Sequence, residues 1–303
     1  MSILLLGKDG QVGWQLQRSL ALYGPLVACG RAECDLSDPD QIRSVIRAVK
    51  PSVIVNAAAM ASVDGAESAP ELAWRINAEA PGILAEEAVR REALLVHYSC
   101  DQVFDGDKLT PYCETDPAFP VNIYGQSKLA GEVAIRAVGG KSLVFRTGWV
   151  FGARGESFVK DILRLARERE QINVVDDQIG SPTPAAMVAT VTGVVLAMLC
   201  CGQRLEKGEN RLYHLAAARP VSWHEFARTI VALAEQTSGF NLRLKSEAIH
   251  AVASSQWPTP ARRPVNSRLD CRRLEADFGL QMPDWQAYLV RMLQLLALKQ
   301  NGY

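Results

Sequence analysis

The 303-residue sequence carries no excess of either charge: 33 Lys and Arg stand against 33 Asp and Glu. A chain without a net field has nothing to draw it to nucleic acid or to an acidic membrane surface, and neither partner is expected. Long apolar runs are also missing; the longest, 188–201, is interrupted by Thr190, Thr192 and Gly193, which argues against a membrane span. The seven cysteines, Cys29, Cys34, Cys100, Cys113, Cys200, Cys201 and Cys271, form no C-x-x-C pair, and the four histidines, His97, His214, His224 and His250, show no ligand spacing. That scatter speaks against a zinc site and a disulfide framework, and for reduced thiols in a cytoplasmic protein. No basic region precedes Ile3-Leu4-Leu5-Leu6, so the N-terminus reads as a first strand rather than a signal peptide. Internal repeats and low-complexity tracts are absent.

What is present is the balance of an ordinary enzyme, 48% apolar and 22% charged, at a length that suggests two lobes around one cleft. Short branched apolar runs at 3–6, 26–29, 53–55, 94–97, 143–145 and 174–175 alternate with amphipathic segments, the pattern of a parallel sheet with crossover helices. Ile42, Val45, Ile46 and Val49 make one helical face, opened by the cap Asp38-Pro39-Asp40-Gln41. Beyond about residue 180 the pattern changes to proline-broken loops, with helices near 184–199, 223–236 and 285–298 and a short strand at 213–216. His224 reads as a first-turn residue behind the N-cap Ser222, with Glu225 as the capping partner. The prolines of Trp257-Pro258-Thr259-Pro260-Ala261-Arg262-Arg263-Pro264 forbid regular structure there, and the stretch is expected to be a binding loop. The expected fold is α/β: a Rossmann-like, doubly wound parallel sheet over 1–180 and a smaller mixed C-terminal substrate-binding lobe over 181–303, with a soft boundary and interleaved lobes.

Two motifs carry chemistry. Gly7-Lys8-Asp9-Gly10-Gln11-Val12-Gly13 follows the first strand and opens a helix: Gly7 turns the chain, Gly10 lets amides approach a pyrophosphate, and Gly13 lets helix and strand pack closely. Where a typical NAD binder places an acid after the second strand, Cys29-Gly30-Arg31 stands instead. Arg31 is either a fork for the 2′-phosphate of NADPH or a solvated surface residue. The second motif is Tyr124-Gly125-Gln126-Ser127-Lys128, which puts Tyr124 and Lys128 on one helical face after a strand ending in Tyr98-Ser99-Cys100-Asp101. A phenol is protonated at neutral pH and can protonate the alkoxide left by a reduced carbonyl; an adjacent ammonium would make it a stronger acid.

With these motifs, and with VIVNAAA at 53–59, VDGAES at 63–68, HYSCDQVF at 97–104, FRTGWVFG at 145–152, DDQIGSPT at 176–183 and PTPARRPVNSRL at 258–269, the chain resembles the dTDP-4-dehydrorhamnose reductase family of extended short-chain dehydrogenase/reductases. The resemblance spans nearly the whole chain. It implies reduction of the C4 ketone of dTDP-4-dehydro-L-rhamnose to dTDP-L-rhamnose for surface polysaccharide, with NADPH, or alternatively NADH, as cofactor. It further implies that Gly10, Gln11 and Val12 hold the pyrophosphate, that Asp35 and Leu36 flank the adenine, and that Ala59, Met60 and Ala61 line the cofactor cleft. Tyr124 would be the proton donor and Lys128 a cofactor ligand, while Cys100, Asp101 and Trp149 would touch the sugar nucleotide. Arg262 and Arg263 are either solvated or partners for its diphosphate.

The departures from the resemblance are as specific. Ser99-Cys100-Asp101-Gln102 stands where relatives carry Ser-Thr-Asp-Tyr, and a thiol is a weaker donor than a hydroxyl, so slower turnover is expected unless Ser99 or a water substitutes. Met60-Ala61 replaces a more polar pair. The resemblance also implies a magnesium that some relatives bind between subunits, but its positions fall to Gln15, Ala186 and Leu295, which are not metal ligands, so no metal-bridged dimer of that kind is expected and the chain is either a monomer or a homodimer. A reductase or epimerase on another nucleotide sugar, and a catalytically weakened regulatory homologue, are the competing readings; the intact Tyr124 and Lys128 speak against the second.

Overall fold

The computed structural model describes residues 1–202, 205–206 and 208–300. The chain runs β1 (Ile3–Leu6), α1 (Gln11–Leu20), β2 (Leu26–Cys29), α2 (Pro39–Val49) and β3 (Val53–Asn56). Then come α3 (Val63–Ser68), α4 (Pro70–Trp74), a π-helical turn (Arg75–Glu79), α5 (Ala80–Arg90), β4 (Leu94–Cys100), α6 (Ile123–Val138) and β5 (Ser142–Thr147). The rest is β6 (Val150–Phe151), α7 (Phe158–Glu168), β7 (Ile172–Val175), β8 (Ile179–Gly180), β9 (Thr183–Pro184), α8 (Ala185–Cys201), β10 (Asn210–His214), β11 (Val221–Ser222), α9 (Trp223–Glu235), β12 (Ile249–Val252), α10 (Arg272–Phe278) and α11 (Gln286–Gln300).

A six-stranded sheet in the order β10-β5-β4-β3-β1-β2 is parallel throughout. All four residues of β1 and of β3 are buried, because a parallel sheet is covered on both faces and its strands read as unbroken apolar runs. Leu16 and Leu20 of α1 and the apolar residues of α8 cover one face; Ile42 and Ile46 of α2, Leu84 of α5 and Ile135 of α6 cover the other. Strand order reverses at β1, which lies between β2 and β3, so the chain winds outward in both directions and leaves a crevice at the carboxyl edge there. The expected doubly wound α/β fold is the one found.

The helix caps form where the sequence places them. Asp38 accepts from the Asp40 and Gln41 amides at the start of α2, and Ser222 Oγ accepts from the Glu225 amide at the start of α9. One expectation is corrected: the strand at 174–175 forms within β7, but β7 pairs with β12 outside the sheet, and the sheet takes β10 as its edge strand. Residues from both sides of position 180 therefore share the sheet, and the two parts of the chain interleave. Tyr98 and Thr192 hydroxyls at 2.7 Å pin β4 to α8.

Candidate active site

The carboxyl edge of the sheet gathers the predicted residues. Gly7 has φ 87, and a Cβ there would lie 2.7 Å from the Ala58 amide nitrogen; one on Gly13 would lie 1.9 Å from the Gly7 carbonyl oxygen. Both positions are closed to any side chain by the contact of turn, helix and β3. Gly10 is different: it is the exposed N-cap of α1, where an added Cβ would meet the Gly7 carbonyl oxygen at an ordinary 3.5 Å. First-turn amides of a helix lack intrahelical acceptors, and together with the helix dipole they form an anion site. Gln11 donates to the Val150 carbonyl at 3.3 Å, while its Oε1 is buried with no partner. Val12 packs partly into the core, so it can offer its backbone but not its side chain. Open amides and a glycine-lined approach fit a dinucleotide pyrophosphate.

At the end of β2, Arg31 extends into solvent and its Nε lies 3.3 Å from Asp35 Oδ2. The Ser37 amide and hydroxyl, then Arg31, hold the Asp35 carboxyl below its usual range. Glu33 accepts from the Gly30 amide and pairs with Lys8. Leu36 is buried in the core, so it can border the cleft only through its backbone. Ala59 and Ala61 are exposed and Met60 is half-buried. The Met60 backbone is clamped by a residue the sequence did not single out: Asn77, on the π-helical turn, accepts from its amide at 3.0 Å and donates to its carbonyl at 3.1 Å. Asn77 Nδ2 also donates to Ser127 Oγ on α6. The loop 59–61 is thus tied to the helix that carries Tyr124.

Asn122 caps that helix by accepting from the Gly125 amide. In its first turn Tyr124 is half-buried, with its ring packed in the same cluster as Cys100. Burial first, then the neighbouring Cys100 and Asp101, hold the phenol well above its ordinary pKa, so it keeps its proton. Burial pushes the Cys100 thiol up to about 12 and the Asp101 carboxyl up to about 7. Lys128 is 2% exposed; it donates to the Tyr98 carbonyl at 2.6 Å and lies 3.4 Å from His97 Nε2, and His97 meets Asn56 at 3.1 Å. Burial pushes Lys128 down to about 8 and, with Lys128 beside it, keeps His97 well below its usual value and neutral. Lys128 turns its ammonium to the Tyr98 carbonyl, and the groups that raise the phenol are its burial and the neighbouring Cys100 and Asp101.

Asp101 is 4% exposed, with its carboxyl pressed against Gly148, where a Cβ would be 2.1 Å from Oδ2. Nearby, the Ser267 hydroxyl donates to the Ile179 carbonyl at 3.4 Å and accepts from Trp149 Nε1 at 3.1 Å. Trp149, at φ 50, stacks on Trp223 with ring centroids 3.4 Å apart and 4° between planes. Trp223 and Arg263 line a cavity of about 630 Å³ with Phe158, Val174, Gln178 and Trp257. The two arginines separate. Arg263 reaches the cavity, held by Asp64 at 2.8 Å with Nη1 buried and unpaired, whereas Arg262 is exposed and only its carbonyl is used, accepting from Asn122. Besides Asn77, sequence reasoning missed Ser267, although it lies within the flagged stretch 258–269: its arginines drew attention by charge, and a serine gives no such sign. Gln15, Ala186 and Leu295 do not fit a magnesium ion, and among the described residues no group of three or more His, Cys, Asp or Glu could hold a metal.

The family described as RmlD substrate binding domain matches residues 1–298. A dTDP-4-dehydrorhamnose reductase of Burkholderia thailandensis is 46% identical over 286 residues, 94% of this chain and 96% of that protein. One of Escherichia coli (strain K12) is 42% identical over 305 residues, 98% of each chain. A solved dTDP-4-dehydrorhamnose reductase of Bacillus anthracis in complex with NADP matches at a TM-score of 0.84 and 32% identity, covering 96% of this chain and 99% of that one.

Proposed function

The chain belongs to the RmlD substrate binding domain family, and from that premise we propose that it reduces the C4 ketone of dTDP-4-dehydro-L-rhamnose to dTDP-L-rhamnose with NADPH. The observation that carries this reading is Tyr124 beside Cys100 at the start of α6, with Lys128 on the next turn buried against the Tyr98 carbonyl, on the same sheet edge as the glycine turn. Adjacent strands lie about 4.8 Å apart. The end of β4 is therefore roughly 10 Å from the end of β1, a span that a dinucleotide covers.

NADPH, when bound, supplies the hydride. The chain's own residues do the rest. Amides of Gln11 and Val12 hold the pyrophosphate at the α1 N-terminus. Arg31, exposed and only lightly engaged by Asp35, offers a guanidinium to a 2′-phosphate, which favours NADPH over NADH. Lys128, fixed by the Tyr98 carbonyl, presents its remaining N–H donors to a ribose. As the ketone oxygen gains charge, the Tyr124 hydroxyl gives it a proton; the buried setting makes that transfer sensitive to a small displacement. Cys100, protonated and weakly donating, touches the same oxygen. Trp149 forms the wall against the sugar ring, and the cavity with Arg263 takes the nucleoside diphosphate. We place the enzyme in the cytosol, where the free thiols of Cys29, Cys34 and Cys100 stay reduced, as a monomer or homodimer.

Oxidation of NADPH and of NADH, followed at 340 nm with dTDP-4-dehydro-L-rhamnose and with other nucleotide 4-keto-sugars, tests this. The expected result is turnover of the dTDP substrate with preference for NADPH. Faster turnover of another nucleotide sugar, or none at all, would sink it.

A further inference from the structure

Cys100 and Thr147 end β4 and β5 and are register partners in a parallel pair. Partners in such a ladder send their side chains to the same face. The preceding pair shows which face: Tyr98 and Phe145 are also register partners, and their rings stack with centroids 5.9 Å apart. Thr147 is 7% exposed, and its Oγ1 has no hydrogen-bond partner. A buried hydroxyl in that state destabilises the fold, and a valine of the same shape would not.

Ser99 Oγ is also buried without a partner, but it does not share this face. It points to the opposite face by strand alternation, where its register partner Arg146 reaches Glu132 of α6 at 2.6 Å. Thr147 is therefore the hydroxyl on the face of Cys100. The residues around it are those given to the sugar above: Cys100 beside it, then Gly148 against the Asp101 carboxyl, then Trp149. The Cys100 thiol, a weak donor, packs beside Tyr124.

We propose that Thr147 Oγ1 contacts the substrate, hydrogen-bonding the keto-sugar at the reacting end and supplying the polar contact that the Cys100 thiol gives only weakly. This rests on the reduction proposed above. It explains why an energetically costly hydroxyl stands where a methyl would pack better, since active sites hold groups in unfavourable states for a ligand.

The test is Thr147→Val beside Thr147→Ser, with four readouts: kcat/KM, NADPH affinity by fluorescence titration, affinity of the NADP-loaded protein for dTDP-L-rhamnose by calorimetry, and Tm. Thr147→Val should lose about tenfold in kcat/KM and in product affinity, bind NADPH like the native chain, and melt at or above the native temperature. Thr147→Ser should keep most of the activity. In a Cys100→Thr background the cost of Thr147→Val should shrink, because the neighbouring hydroxyl takes over. An active native chain with an unaffected Thr147→Val variant overturns this inference alone. So does an equal loss of NADPH affinity, which would give the hydroxyl to the cofactor, or a fall in Tm, which would show that it is structurally paired. A native chain inert toward the keto-sugar overturns the parent reading and this one with it.

Discussion

Among single residues, Tyr124 and Asp101 divide the labour by protonation. Removing the phenolic proton in Tyr124→Phe should cut kcat by roughly 10²- to 10⁴-fold while NADPH titration and Tm stay native; a variant with full turnover would dismiss Tyr124 as the donor. Asp101 has a pKa raised to about 7 from 3.8, so the folded chain binds more protons than the unfolded one between those values. Native stability then falls as pH rises through that window, and above it the fold carries a buried carboxylate. Asp101→Asn is free of this dependence, so its Tm relative to native should climb by several degrees between pH 5 and pH 8, each pH unit crossed inside the window costing the native chain up to about 1.4 kcal/mol. A constant difference would contradict the buried acid. Tyr124 and Lys128 are legible in the sequence because an i,i+4 pair is set by the helix itself. Asn77, Thr147 and Ser267 are not: each matters through a neighbour far away in the chain, as Ser267 does by meeting Trp149 across 118 residues.

Elements show the same division between local and distant causes. Helix starts at Asp38 and Ser222 are written in neighbouring residues, as are the strands, but which strands join is not. The run at 174–175 has the branched apolar character of a sheet strand, yet β10, with the polar Asn210, Arg211 and His214, holds the edge beside β5. Pairing is decided by which helices carry a strand back to the sheet, and α8 returns the chain beside β5. The glycine turn is the element most constrained by packing. Gly13→Ala puts a methyl 1.9 Å from the Gly7 carbonyl oxygen, so α1 must tilt away from β1. NADPH affinity should fall at least tenfold and Tm should drop; native affinity in titration would show that the contact relaxes without moving the amides.

The molecule as a whole does not divide at residue 180. A fragment of residues 1–180 lacks α8 and β10, leaving bare the face that Met187, Val188, Val195 and Leu196 cover and the edge of β5. It should collapse without a cooperative thermal transition in calorimetry; a sharp melt would show that the sheet is self-sufficient without its edge strand. Interleaving also brings residues from both parts together, as it does Trp149 and Ser267. The Trp149–Trp223 stack, formed across the same seam, has an optical consequence. Two indoles 3.4 Å apart and nearly parallel share their excited states. Such a sandwich is electrostatically less favourable than an offset or edge-on pair. The near-ultraviolet circular dichroism of the free protein should carry a paired band of opposite signs that Trp223→Leu abolishes, giving this seam a built-in chromophore.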